Sequence, residues 1–329
     1  MNKKIFVFLF AAIFLSTASF ADAQQPKKVR RIGYLSTRSA SQVQATTHAL
    51  RRGLSDLGYV EGQNIMIEYS WADDTADRLP HLAAQLVRLG VEVIVAAGGT
   101  PAILAAKNAT SSIPIIFAGL GTDPVELGLV ASLARPGGNI TGVSSGGSEL
   151  YGKRLELLKD TVPRLSRVAY LRNPDNPASR LTGEEIIMAA RALGLQIQTL
   201  EVRKVTDLDA AFETAKRSRA DGLIVSRTPP ISSDPNRVVS LATKSRLPAI
   251  YADRDQPEAG GLMSYSTDPA DLYHRAAVYV DKILKGSKAA DLPVEQPKKF
   301  EFVINLKAAK QIGLTIPPNV LARADKVIR

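Results

Sequence analysis

The sequence predicts an α/β protein of two Rossmann-like lobes, each built on a parallel sheet, joined by a hinge that the chain crosses three times. Apolar strands alternate with amphipathic helices along most of the 329 residues, which is typical of parallel sheets wrapped by helices. The same order of elements then occurs a second time. Two later segments return between the halves, which accounts for the second and third crossings.

The first half contains four expected strands. They cover residues 32–35, 64–69, a run that starts at residue 91, and 113–117. The run Val93-Ile94-Val95 is apolar without alternation, as in a strand covered on both faces. Between the strands, apolar residues recur at helical spacing, and Gly58 and Gly90 are expected to end the first two helices.

The second half repeats this pattern at a nearly constant offset. Val168 follows Ile32 by 136 residues, and Ile224 follows Ile94 by 130 residues. The four expected strands of this half cover residues 167–171, 196–202, 222–225 and 247–251. Two copies of one architecture are the simplest explanation, and facing lobes would place both sets of strand-end loops in one cleft.

Three segments are expected to carry the chain between the lobes, and three crossings are typical of a hinge. The first lies between the halves, the second at residues 260–266, and the third in a Pro/Lys-rich return before residues 300–304. We therefore assign residues 24–145 to lobe 1, with 262–290 returning to it. Residues 146–261 form lobe 2, with 291–329 returning to it.

The first 23 residues have the pattern of a secretory signal peptide. Lys3 and Lys4 precede an apolar run over residues 5–15, and Ala21-Asp22-Ala23 matches a cleavage site. The chain has no cysteine, so no lipid anchor at the cleavage site, disulfide or thiolate metal site is expected. The sequence therefore predicts an exported, periplasmic protein without a lipid anchor.

The remaining 306 residues are enough for two lobes with separate cores. Removing Lys3, Lys4 and Asp22 leaves 40 basic and 31 acidic residues, a net charge of +9. The basic residues are scattered along helices, without the aromatic-interleaved patch typical of nucleic-acid binding. We expect a monomer that binds no nucleic acid. No cofactor or metal is expected either, because the three histidines fall on three different helices.

A glycine turn after the third strand is the strongest candidate for ligand binding. Gly98-Gly99 ends the strand, Thr100 is a suitable N-cap, and Pro101 suits the first helical position. The free N–H groups and the positive end of the helix dipole favour a carboxylate or phosphate there. An ordinary βα turn without a ligand is the alternative.

Other strand-end loops supply the remaining candidate ligand-binding residues, because ligands bind at the carboxyl ends of strands in such sheets. Asp123 could bind an ammonium or hydroxyls, or simply cap the next helix. Asn173 and Asn176 offer donors and acceptors, or act as turn residues before proline. The full set of candidate ligand-binding residues is Ser36, Gly99, Thr100, Asp123, Asn173, Asn176, Arg227 and Asp253.

Two further patterns have a plain structural alternative. Gly142-Val143-Ser144-Ser145-Gly146 matches G-x-S-x-G, with Asp253 and His274 available as the other members of a hydrolase triad. His274 lies within a helical pattern and no His-Gly-Gly oxyanion loop is present, so a lobe crossing explains these glycines better. Trp71, after the second strand, could stack on a ligand ring or pack between strand and helix.

Several strings resemble one protein family. They are Gly-Thr-Pro-Ala at 99–102, Ile-Pro-Ile-Ile-Phe at 113–117, Asp-Pro-Val at 123–125, Leu-Ala-Arg-Pro-Gly-Gly-Asn-Ile-Thr-Gly at 133–142, and residues 304–317. The chain resembles the TrpX-like ABC-transporter substrate-binding proteins over residues 30–329. The resemblance implies the type I periplasmic-binding fold and no enzymatic activity. It also implies capture of a small solute, such as an amino acid or similar carboxylate, for delivery to a permease with its ATPase.

Two other classes of function remain open from the sequence. A periplasmic ligand sensor would pass its closed state to a signalling protein instead of a permease. An exported hydrolase would need a catalytic constellation around Ser144.

Overall fold

The computed structural model describes residues 29–147 and 149–329. The expected signal peptide, residues 1–23, lies outside the described residues. The described chain forms two α/β lobes, each with helices on both faces of one sheet. No helix in this part of the chain is long and apolar enough to cross a membrane.

Lobe 1 has a five-stranded parallel sheet in the order β2-β1-β3-β4-β5. Its strands are β1 Arg30–Ser36, β2 Ile65–Trp71, β3 Val93–Ala97, β4 Ile115–Leu120 and β5 Ile140–Ser144. Its helices are α1 Gln44–Asp56, α2 Leu79–Arg88 and α3 Thr100–Ala109, with short 3₁₀ turns at Ser41–Val43 and Ala76–Arg78. The expected strands and helices of the first half are all present.

Lobe 2 has a seven-stranded sheet in the order β12-β11-β10-β9-β8-β6-β7. Its strands are β6 Arg167–Arg172, β7 Gln196–Glu201, β8 Gly222–Val225, β9 Ala249–Tyr251, β10 Met263–Ser266, β11 Glu301–Asn305 and β12 Lys326–Ile328. Its helices are α4 Glu149–Thr161, α5 Ser179–Ala192, α6 Leu208–Arg217, α7 Pro235–Lys244 and α8 Asp255–Glu258. After the chain's return, α9 Pro269–Leu284 is followed by α10 Leu306–Ile312 and α11 Pro318–Leu321, with 3₁₀ turns at Val205–Asp207 and Ala289–Asp291.

The second sheet contains one antiparallel pair, β10 with β11. Strand β10 leads out of lobe 2 and β11 is the first strand after the chain returns, so the two run in opposite directions. Helix α9 lies between them in sequence and belongs to lobe 1, where it packs against α1. The second lobe is therefore mostly, and not wholly, parallel.

Each sheet is covered by apolar side chains on both faces. In lobe 1, α1 and α9 cover one face around Leu50 and Ala276, and α2 and α3 cover the other around Leu86 and Ile103. In lobe 2, α4, α5, α10 and α11 cover one face, and α6 and α7 cover the other. Apolar burial on both faces explains the unbroken apolar strands of the sequence.

The structure corrects two limits of the predicted lobes. Strand β10 pairs with β9 and β11, so residues 263–266 belong to lobe 2 and the return to lobe 1 begins after Ser266 instead of at residue 262. The segment up to Glu295 still belongs to lobe 1. The Glu295 N–H donates to the Gly142 carbonyl (2.9 Å), and the Glu295 carbonyl accepts from the Ser144 N–H (2.8 Å). The third crossing therefore follows residue 295 instead of residue 290.

The G-x-S-x-G string lies at the end of β5, where close packing accounts for its first glycine. A Cβ on Gly142 would lie 2.7 Å from the Phe117 nitrogen and 2.8 Å from its Cγ, and closer still to the Phe117 carbonyl oxygen. The packing of β5 against β4 therefore requires the first glycine of this string.

We predict that Gly142→Ala lowers the free energy of unfolding by about 3 kcal/mol, because the neighbouring strand must move to admit a methyl group. Gly138→Ala is the control, since a Cβ there meets no heavy atom within 4 Å. It should change stability by less than about 0.5 kcal/mol. Urea denaturation followed by circular dichroism measures both. Equal midpoints would show that the β4–β5 contact does not require glycine.

Candidate ligand-binding cleft

A cavity of about 380 Å³ lies between the two lobes and is lined by residues of both. Lobe 1 contributes the loops after β1, β3 and β4 together with the start of α9. Lobe 2 contributes the loops after β6, β8 and β9 together with the start of α5. The cavity is therefore built from the carboxyl ends of parallel strands, as the fold predicts.

The predicted glycine turn lies in the lobe 1 wall, with its register shifted by one residue. Gly99, with φ +102°, is the N-cap of α3, and Thr100 is a buried first helical residue instead of the cap. Gly98, with φ +82°, packs directly on the Thr37 hydroxyl, which donates to the Gly98 carbonyl (2.9 Å). A side chain at Gly98 would clash with Thr37, so the turn needs glycine for both its φ and its contact.

The start of α3 remains available to a ligand. No side chain among the described residues caps it. The first N–H groups of a helix have no intrahelical partner, and the helix dipole makes this end electropositive. Gly99 and Thr100 both line the cavity, so the start of α3 lies at the wall of the cleft.

The loop after β4 completes this wall through Gly121 and Thr122. Asp123, the next residue, does not line the cavity. Its Oδ1 accepts from the Val125 N–H (2.7 Å), which starts a turn over residues 124–128. The helix that the sequence predicted after Asp123 is not formed, so its carboxylate stabilises a turn instead of capping a helix.

An ion pair between Arg227 and Asp253 lies in the lobe 2 wall. Their Nε and Oδ1 atoms are 2.8 Å apart, and Asp253 is buried. Burial acts to lower the pKa of Arg227, but Asp253 and nearby groups hold it above its usual value. Both residues line the cavity, as predicted for the loops after β8 and β9.

Asp255 also lines the cavity and forms no ion pair with the described residues. Desolvation, reinforced by the nearby Asp253 charge, raises the pKa of its carboxyl group. A carboxylate in this situation is stabilised by any cation that approaches it. Arg254, its neighbour, is instead engaged at the hinge by Glu301 (3.3 Å) and Asp268 (3.7 Å).

Three buried tyrosines, Tyr151, Tyr170 and Tyr273, form the aromatic lining of the cavity. Arg154 lies behind Tyr151 and is only 4% exposed. Its guanidinium carbon is 5.0 Å from the centre of the Tyr151 ring, and its Nε donates to the Tyr265 carbonyl (2.9 Å). Burial lowers the pKa of Arg154 from its usual value. This arginine links the Tyr151 ring to strand β10, beside the second crossing.

The start of α5 adds a group of small polar side chains, Asn176, Ser179 and Thr182, all of them buried. Asn176 organises this end of the helix: its Oδ1 accepts from the Ala178 N–H (2.9 Å) and its carbonyl from the Ser179 N–H (2.8 Å). Its turn role is therefore evident, and it lines the cavity as well. Asn173 only supports the wall, donating to the Pro229 carbonyl (2.7 Å).

Hydrogen bonds across the mouth of the cleft connect the two lobes. Arg38 Nη2 donates to the Ser232 carbonyl (3.3 Å), and Gln42 Nε2 donates to the Ser233 carbonyl (3.4 Å). Gln42 is itself held by Asp74 (2.8 Å). The lobes are thus in contact, which defines a closed arrangement.

Of the eight predicted site residues, the structure brings five to the cavity: Gly99, Thr100, Asn176, Arg227 and Asp253. Ser36 is buried beneath the loop that follows β1, where its Oγ accepts from the Arg38 N–H (3.1 Å). The sequence analysis missed the cleft residues Arg38, Tyr151, Tyr170, Ser179, Asp255 and Tyr273. Asp255 could be predicted from the sequence, since it lies two residues beyond Asp253. Tyr273 could not be predicted, because only the return of α9 to lobe 1 places it at the cavity.

The hydrolase alternative finds no support in the geometry. Ser144 Oγ donates to the Leu120 carbonyl (3.2 Å), His274 bonds Asp56 (2.9 Å) on the surface between α1 and α9, and Asp253 pairs with Arg227. Trp71 stacks on Tyr69 at 5.4 Å in the lobe 1 core, so it packs between elements instead of lining the cleft. Among residues 29–147 and 149–329, no group of three or more acidic or histidine side chains could hold a metal ion.

A two-lobed α/β protein with a ligand-sized cleft at its hinge has the type I periplasmic-binding fold. The family model of ABC transporter substrate binding proteins matches residues 36–328, and the chain belongs to this family. Members of the family bind solutes and are not enzymes.

Individual relatives are similar over most of their length. A tyrosine-binding protein of Clostridioides difficile (strain R20291) is 27% identical over 294 residues, which are 88% of this chain and 82% of that protein. An ABC domain from Streptococcus pneumonia in complex with L-Trp is 30% identical, with a TM-score of 0.84 over 91% of this chain and 99% of that one. A ligand-free, open substrate binding protein from Clostridium difficile is 25% identical, with a TM-score of 0.67 over 91% and 99%.

We predict that Arg154→Met releases the Tyr151 ring, because the cation that lies over it is lost. In protein labelled with 3-fluorotyrosine, the ¹⁹F resonance of Tyr151 is identified by its loss in Tyr151→Phe. This resonance should shift and broaden in Arg154→Met.

Arg323→Met is the matched control for this experiment. It removes exposed ion pairs to Glu156 and Asp160 on the same helix α4. The Tyr151 resonance should not change in this variant. An unchanged resonance in Arg154→Met as well would mean that Arg154 does not position the ring.

Proposed function

We propose that this protein is the exported substrate-binding component of an ABC importer and captures an aromatic L-amino acid between its lobes. The observation that carries the proposal is one cavity that combines N–H donors at a helix start, a carboxylate without an ion pair, and a tyrosine lining. The similar ABC domain in complex with L-Trp and the tyrosine-binding relative support the same class of ligand.

The amino-acid head group is matched by charge on the two sides of the cleft. In this proposal the ligand carboxylate accepts from the N–H groups at the start of α3, beside Gly99 and Thr100. The ligand ammonium faces Asp255, a cavity-lining carboxylate whose pKa is raised by desolvation and by the nearby Asp253 charge. In this proposal a zwitterionic amino acid therefore binds lobe 1 through its carboxylate and lobe 2 through its ammonium group at the same time.

The size and lining of the cavity suit an aromatic side chain. About 380 Å³ is within the range of pockets that enclose small organic ligands. Tyr151 and Tyr273 reach the cavity from opposite lobes and offer ring faces and edges for stacking.

Capture is proposed to close the lobes. A ligand that contacts both walls binds the closed form better and shifts the population toward it. The higher TM-score with the L-Trp complex than with the ligand-free, open relative supports a closed arrangement here. In this proposal the protein acts in the periplasm as a monomer, and a permease with its ATPase receives the closed form.

We expect the protein lacking residues 1–23 to bind L-tryptophan or L-tyrosine with micromolar or tighter affinity in isothermal titration calorimetry. Tryptamine lacks the carboxylate and indole-3-propionate lacks the ammonium, so each should bind at least tenfold more weakly than L-tryptophan. Small-angle scattering should show a smaller radius of gyration with ligand. Absence of heat with both amino acids would rule out the proposed ligand class.

Thr100→Asp tests the anion site at the start of α3. A fixed negative charge beside the ligand carboxylate should weaken binding at least a hundredfold, since like charges juxtaposed in an interface cost several kcal/mol. Asparagine has nearly the same shape as aspartate but no charge, so Thr100→Asn should weaken binding much less. Because acidic residues are favourable in the first turn of a helix, neither change should lower the melting temperature of the ligand-free protein by more than a few degrees. Equal affinities of the two variants would place the carboxylate elsewhere.

A further inference from the structure

One hydroxyl in the cleft has no partner in the protein. Ser179, the first residue of the 14-residue helix α5, is 5% exposed and lines the cavity. Its Oγ makes no hydrogen bond with any described residue. Since nearly all buried polar groups in proteins are hydrogen-bonded, a buried and unpaired hydroxyl on a residue that lines a ligand cavity points to a polar group on the ligand.

The surroundings of Ser179 reinforce this. No side chain in the described parts of the chain caps α5, whose N-cap is Ala178. The Ser179 N–H donates to the Asn176 carbonyl (2.8 Å), so the N–H groups that follow it in the first turn are the ones without an intrahelical partner, and the dipole favours an acceptor there. Thr182, one turn further along, also lines the cavity. The start of α5 offers a ligand oxygen both a hydroxyl and N–H donors.

The start of α5 shares the lobe 2 side of the cavity with Tyr151 and Tyr170, and with the ion pair of Arg227 and Asp253. The Tyr170 ring lies beside α5, since a Cβ on Gly183 would be 3.9 Å from its Cε1. The same Cβ would be 3.5 Å from the Arg172 Nη1 atom.

We infer that the start of α5 is a second polar subsite that binds the phenolic hydroxyl of L-tyrosine, and that Ser179 is the residue that selects L-tyrosine over L-phenylalanine. The inference rests on the proposed function, in which the amino-acid head group lies between the start of α3 and Asp255. A tyrosine ring beside Tyr151 directs its hydroxyl to α5. There the phenol donates to Ser179 Oγ and accepts from a first-turn N–H. L-phenylalanine leaves these groups unpaired, and a site built for a hydroxyl discriminates against a ligand that lacks it.

Calorimetry with L-tyrosine and L-phenylalanine tests this assignment. The wild-type protein should bind L-tyrosine at least tenfold more tightly than L-phenylalanine. Ser179→Ala should weaken L-tyrosine binding about tenfold and change L-phenylalanine binding less than twofold, so that the preference nearly disappears. Ser179→Thr keeps a hydroxyl and should retain the preference. If Ser179→Ala does not fold, Ser179→Gly removes the same hydroxyl.

Ser145→Ala is the matched control, because Ser145 is an equally buried serine of the cavity whose Oγ already donates to the Gly119 carbonyl (3.2 Å). It should leave the ratio of the two affinities unchanged. If the wild type binds both ligands equally, or Ser179→Ala weakens both alike, the subsite is overturned and the proposed function stands. If neither ligand binds the wild type and L-tryptophan does not bind either, the proposed function fails and this inference with it.

Discussion

Strand polarity is the constraint on which the cleft depends. In both sheets the parallel strands end on the side that faces the other lobe, so every loop that follows a central strand opens into the same space. Contacts at the hinge hold the crossing segments next to these strand ends. The Glu295 backbone bonds to both Gly142 and Ser144, which holds the third crossing against the end of β5. Arg254 connects the second and third crossings through Asp268 and Glu301.

The charges in the cleft are difficult to explain by stability alone. Taking Arg227 and Asp253 out of water costs free energy that their attraction recovers only in part, and a well-packed apolar pair would often stabilise a protein more. Arg154 is buried without any carboxylate in contact among the described residues, and is held by one carbonyl and one aromatic face. Such groups are typical of sites where the ligand completes the electrostatics. Their concentration around one cavity makes that cavity the candidate ligand-binding site.

The sequence predicted the local elements well and the long-range relations less well. Apolar periodicity and glycine stops located nearly every strand and helix, because these depend on neighbouring residues. Residues 263–266 were assigned to lobe 1 because a crossing segment and a short strand have the same local pattern. Only the pairing of β10 with β9 and β11 distinguishes them.

The same distinction between local and long-range information applies to the residues of the candidate site. Gly99, Thr100, Arg227 and Asp253 follow strands directly, so the rule for strand ends found them. Asp123 also follows a strand, but its carboxylate is used by the Val125 N–H, a competition that sequence alone leaves open. Tyr151 and Tyr273 come from helices, and which helix face meets the cleft depends on how the lobes are arranged.

The distribution of donors between the lobes has a consequence for closure. The hydrogen bonds from Arg38 and Gln42 across the mouth contribute about 0.5–1.5 kcal/mol each. Converting a mostly open population to a mostly closed one needs about 5.5 kcal/mol of differential binding. The ligand must therefore supply most of the closing free energy by contacting both lobes. Lobe 1 offers the helix start of α3 and Tyr273, and lobe 2 offers Asp255 together with Tyr151 and Tyr170. In the proposed function, a molecule with only an anionic group or only an ammonium group therefore satisfies one wall and leaves the lobes open. An amino acid that carries both groups satisfies the two walls at once, so closure acts as the selective step in this proposal.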